Sequence, residues 1–85
     1  MDKVIVHPRV TERHPELSEE DVLVAWGSYV RMVYRGNDQA IAVGFDGKGR
    51  ALEMAAKTTD GDWLVYHALT PPTINALQEL GMAWR

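Results

Sequence analysis

Apolar positions along this chain follow first a helical and then a strand period. Val22, Ala25, Trp26 and Tyr29 recur at i, i+3, i+4 and i+7, the spacing that lines one face of a helix. Ser18 stands where an N-cap belongs, with Asp21 three residues later as a short capping-box acid. Leu17 and Val22 have the spacing of a hydrophobic staple, and Glu19, Glu20 and Asp21 suit the positive end of a helix dipole. A helix is predicted over about 18–28. Before it, Val4-Ile5-Val6 reads as a short strand or a packed arm. Arg9 to His14 reads as a helical turn ended by Pro15, because the residue before proline avoids the α region.

After the helix the period falls to two. Val30, Met32 and Tyr34 alternate with Arg31, Val33 and Arg35; Ile41, Val43 and Phe45 alternate with Ala40, Ala42 and Gly44. Gly36-Asn37-Asp38, Asp46-Gly47-Lys48-Gly49 and Thr59-Asp60-Gly61-Asp62 are turn sequences, and Asp-Gly supplies the positive φ angles of tight hairpins. Strands are therefore predicted on either side of each turn, the last two over about 50–57 and 63–68. Thr70-Pro71-Pro72-Thr73 opens a final helix with Thr70 as its cap; Ile74, Leu77 and Leu80 form its buried stripe and Gly81 stops it. The expected fold is α+β, a four-stranded antiparallel β-meander covered on one face by an N-terminal helix pair and a C-terminal helix.

With 85 residues the chain has room for a single domain, 1–85. Hydrophobic residues at 46% and charged residues at 25% are ordinary for a folded protein. The core of such a domain is thin, which leaves a role for a stabilising partner or a second copy in a homodimer. The absence of cysteine removes disulfides, thiol catalysis and thiolate zinc sites. No segment resembles a signal peptide or a membrane span, so a cytoplasmic location and no membrane partner are expected. Nine basic against twelve acidic residues give a net charge of −3, which argues against general nucleic-acid binding but permits a local basic face. Acidic residues crowd positions 12 to 21, whereas Arg31, Arg35, Lys48, Arg50 and Lys57 lie in the middle.

The chemistry that the sequence offers sits on or beside the sheet. Gly44 to Gly49 fits a hairpin tip and not a phosphate loop, and His7, His14 and His67 lack metal-ligand spacing, so no metal or cofactor is expected. Glu53 shares a strand face with Ala51, Ala55 and Lys57. Tyr66 and His67 lie on the last strand, and strict alternation puts His67 with Trp63 and Val65, an assignment that a bulge would reverse. A histidine serves as acid or base near neutrality, and arginines stabilise a pentavalent phosphate. Such a set could cleave RNA without a metal, through the 2′-hydroxyl. The competing reading is a solvated face held by cross-strand ion pairs.

Glu12-Arg13-His14-Pro15-Glu16-Leu17-Ser18-Glu19-Glu20-Asp21-Val22 resembles the opening of BrnT-type toxins. Ala42 to Glu53 is similar to the hairpin of that family, and Tyr66-His67-Ala68-Leu69-Thr70-Pro71 stands where its last strand ends before the final helix. The resemblance runs from about residue 9 to residue 80. It implies a RelE-like fold, metal-independent endoribonuclease activity on mRNA, and a cognate antitoxin as partner in a type II toxin–antitoxin module. It points to His14, Arg50 and the neighbourhood of His67 as catalytic. Arg31, Arg35, Glu53, Lys57 and Tyr66, read from the polar set on the sheet and not from the resemblance, are the expected substrate-binding residues. The family has a basic residue where this chain has Leu69. Two alternatives from other classes are a catalytically inactive protein-binding module on the same fold and a small-molecule site between helix and sheet.

Overall fold

The computed structural model describes residues 3–82. Its elements are β1 (Val4–Val6), α1 (Pro8–Arg13), α2 (Glu19–Gly27), β2 (Arg31–Arg35), β3 (Gln39–Phe45), β4 (Ala51–Thr59), β5 (Asp62–Leu69) and α3 (Ile74–Glu79). The fold is α+β, with one five-stranded mixed sheet in the order β1-β5-β4-β3-β2 and three helices. The meander β2 to β5 is antiparallel throughout, as its turns predict. The expectation of four strands is corrected by β1, which adds to the β5 edge in parallel, with Val4 opposite Trp63 and Val6 opposite Val65. Three apolar residues suffice for that edge because backbone pairing with β5 completes a strand that has no hairpin partner of its own.

The helices do not share one face. Val10 of α1 and Val22, Ala25 and Trp26 of α2 pack with Ala40, Ala42, Leu52, Met54, Ala56 and Val65. On the opposite face Ile41 and Val43 pack with Ala76 and Leu80 of and just after α3. Both faces of β3 are thus apolar: its alternate residues serve two separate clusters, and a run that reads as alternation of large and small residues is buried on both sides. The larger cluster also takes Trp63, whose ring lies 5.4 Å from that of Trp26 and 6.0 Å from that of Tyr34.

Local signals act as their chemistry requires. The Ser18 hydroxyl accepts from the Asp21 N–H, and the Asp21 carboxylate accepts from the Ser18 N–H, which closes the capping box of α2. Gly81, at φ +71°, ends α3: its N–H donates to Gln78 O and that of Met82 to Leu77 O, the double closure of a Schellman motif. The cap of α3 is Thr73 and not Thr70. Thr70 instead donates its hydroxyl to Ala51 O at 2.6 Å. Of the expected α3 stripe, Leu80 is buried, Leu77 is half-buried and Ile74 is exposed, because α3 lies over the sheet with Ala76 inward.

Candidate functional site

A β-bulge builds the site. Ala55 pairs with His67 and Ala56 with Val65, so Tyr66 is the extra residue of β5. Val65 still points into the α1–α2 side of the core. After the bulge His67 lies on the α3 face, where its Nε2 is 2.8 Å from Oε2 of Glu53. The face that strict alternation predicts for His67 is thereby reversed. Tyr66 joins the same side, its hydroxyl donating to Gln39 Oε1 at 3.0 Å.

Glu53 is buried, and both of its oxygens are occupied. Oε2 meets His67; Oε1 accepts from the Thr73 N–H at 2.7 Å and the Thr73 hydroxyl at 2.8 Å. That hydroxyl in turn accepts from Ala76 N–H as the cap of α3. Burial pushes the Glu53 carboxyl up, but the Thr73 N–H, the His67 bond and the Thr73 hydroxyl together outweigh it and hold the group below its ordinary value. An ionised carboxylate only accepts. The Nε2 of neutral His67 therefore carries the proton, and its Nδ1 keeps the free lone pair. His67 retains 40% of its side-chain exposure, so the ring borders solvent.

Around this pair lies an open cleft of about 350 Å³ lined by Arg13, Arg35, Ile41, Glu53, Ala55, Tyr66 and His67. Arg35, Glu53, Tyr66 and His67, each singled out from the sequence, line this one cleft. Arg35 is already engaged: its Nε and Nη2 donate to the two oxygens of Glu79 at 2.7 and 2.6 Å. That bidentate bond raises the Arg35 pKa and lowers that of Glu79. Arg31 also turns to the C-terminal end of α3, donating to Leu80 O at 3.3 Å. Lys57 is exposed opposite Gln39 and Leu64 and does not line the cleft.

His14 and Arg50 are placed elsewhere. His14 caps the C-terminus of α1, 3.7 Å from a Glu16 carboxylate oxygen. Arg50 joins the β3–β4 turn to the start of α2, donating to Asp46 at 2.8 Å, to Asp21 at 3.0 Å and to Glu16 O at 3.1 Å. Neither residue lines the cleft that holds His67. Arg13 and Thr73, in contrast, belong to the site and were not singled out from the sequence. Arg13 follows Arg9 by four residues, a spacing that puts both on one flank of a short helix, and Thr73 immediately precedes the first residue of α3.

Besides Glu79, three carboxylates gain from the fold. Asp21 is lowered by the Ser18 N–H foremost; Asp46 is pushed up by burial but lowered on balance by Arg50 and Lys48; Glu53 behaves as described. Groups held below their ordinary values contribute stability above their unfolded pKa values and lose it as pH falls through the folded ones. Stability in urea should therefore be insensitive to these groups between neutrality and about pH 5, and fall steadily below about pH 4.5. A free energy of unfolding that stayed constant to pH 3 would show that these bonds add nothing. Arg50→Ala should lessen the decline only in part: it removes the guanidinium from Asp46, while the N–H groups of residues 48 and 50 still serve Asp46 and the Ser18 N–H still serves Asp21.

No known protein family, characterised protein or solved structure matched the chain.

Proposed function

We propose that this protein is a metal-independent endoribonuclease that cleaves mRNA and acts as the toxin of a type II toxin–antitoxin module. The observation that carries the catalytic reading is the Glu53–His67 pair in an open cleft walled by Arg13, Arg35 and Tyr66. The role in a module, with a cognate antitoxin as partner, rests on the resemblance to BrnT-type toxins.

His67 is the catalytic base. Its Nδ1 takes the proton of a ribose 2′-hydroxyl, and the resulting oxyanion attacks the adjacent phosphorus. The P–O5′ bond breaks, the 5′ oxygen takes a proton from a water molecule, and a 2′,3′-cyclic phosphate remains; the hydroxide so formed takes the proton back from the His67 imidazolium, which restores the base. Glu53 is a positioning residue: it sets the His67 tautomer and balances the imidazolium that forms. Arg13 makes no ion pair among the described residues. It is the cation that meets the pentavalent phosphate unpaired, with Arg35 beside it.

The test is cleavage of single-stranded RNA by the purified full chain in excess EDTA, with analysis of the product ends, alongside growth after induced expression. Cyclic phosphate ends and growth arrest are expected. Folded protein that cleaves no RNA and leaves growth normal would overturn the proposal.

One observation favours the second reading, a non-catalytic protein-binding module. The β2 edge of the sheet exposes Val30 and Tyr34, at 54% and 59%, next to open backbone. Edge strands with apolar side chains invite pairing with another chain. That reading gains only if the RNA assay is negative while a partner is retained.

A further inference from the structure

A second cleft of about 230 Å³ adjoins the first and is lined by His7, Arg9, Arg13 and Tyr66. Arg13 and Tyr66 line both, so the two clefts lie side by side as a groove divided by a shared wall. Arg9 and Arg13 are exposed, sit four residues apart on α1, and make no ion pair among the described residues. Glu12, the acid between them, lines neither cleft, and no carboxylate lines the second. In a chain of net charge −3 this is a local concentration of positive charge. His7 adds a ring whose Nδ1 is used by the Arg9 N–H at 3.0 Å, which leaves its Nε2 for another group.

Tyr66 gives the groove a second property. Its hydroxyl is tied to Gln39, so its orientation is held, while the residue remains 38% exposed at the junction of the clefts. A fixed aromatic face beside unpaired arginines suits an extended polyanion with flat bases, because every base has a face to stack. Duplex nucleic acid, with its bases already stacked, has no use for such a ring.

The geometry points to a second nucleotide subsite: Arg9 and His7 take a phosphate of single-stranded RNA next to the one at His67, and Tyr66 stacks a base between them. The inference rests on the ribonuclease reading and deepens it, making an oligonucleotide, and not a mononucleotide, the ligand.

The experiment measures binding of a short single-stranded oligoribonucleotide to the full chain against salt concentration, in a His67→Ala background that prevents turnover. Each phosphate neutralised on a single strand contributes a slope of about −0.7 to log K against log salt. Arg9→Ala should make the slope less negative by about 0.7 and weaken binding. Lys48→Ala, which removes a cation outside both clefts, should leave the slope unchanged. An unchanged slope for Arg9→Ala, or equal binding and equal Arg9 dependence with duplex RNA, would overturn the subsite while RNA cleavage by the wild type still stood. A parent chain with no affinity for RNA and a wild type with no cleavage would overturn the subsite and the ribonuclease reading together.

Discussion

His67→Ala is expected to lower RNA cleavage by about 10²–10⁴-fold, the usual worth of a positioned base, with KM little changed. The phosphate-binding arginines remain, so the loss should fall on kcat. His67 is half-exposed and packs in neither apolar cluster, so the variant should fold. Glu53→Gln separates the base from the residue that orients it. The glutamine oxygen can still accept from Thr73, but its amide then donates toward His67 Nε2 and forces the proton onto Nδ1. Cleavage should fall by about 10²-fold or more, and the imidazole nitrogen NMR shifts should report the other neutral tautomer. A Glu53→Gln protein with the original tautomer and full activity would remove Glu53 from the mechanism. Full activity in His67→Ala would remove the base itself.

Gly44→Ala is expected to be the most destabilising single-methyl addition. A Cβ on Gly44 would overlap the carbonyl oxygen of Ala25, and lie 2.9 Å from its carbon and 3.2 Å from Cα of Tyr29. All three are backbone atoms, so no side chain can turn aside; the end of α2 must move off β3. Overpacking against rigid backbone should cost about 3 kcal/mol or more, a large share of the stability of so small a domain. In thermal unfolding this is a fall of roughly 12–24 °C. Gly27→Ala supplies the opposite sign. Nothing lies within 4 Å of that added Cβ, and replacing a helical glycine by alanine should be neutral or stabilise by up to about 1 kcal/mol. Equal melting temperatures for Gly44→Ala and wild type would mean that α2 does not pack on β3 as described.

The site was partly legible in the chain. Glu53, Tyr66 and His67 could be placed on strands because Asp-Gly turns locate the strand ends by local backbone preference. Arg35 could be placed on β2 by the two-residue period. Arg50 looked equally attractive for catalysis, yet it is bound to Asp46 and Asp21, acids separated from it by 4 and 29 residues. The pairing with Asp21, 29 residues away, has no signature in a single sequence. Arg13 was hidden for the related reason that α1 meets β5 only through folding; its cleft-lining role depends on that approach and not on its neighbours in the chain.

By itself the sequence determined the helix over α2 with its capping box, the three hairpins, the stop at Gly81 and the α+β class. Each follows from interactions among residues a few positions apart, which side-chain chemistry and permitted dihedrals decide locally. Tertiary structure alone decided that β1 closes the sheet in parallel, that α3 covers the face opposite α1 and α2, and that a bulge at Tyr66 turns His67 toward Glu53. A bulge depends on register between two strands, and the choice of face on which both sides can bury apolar area. Since β3 is apolar on both faces, only the assembled layers distinguish them.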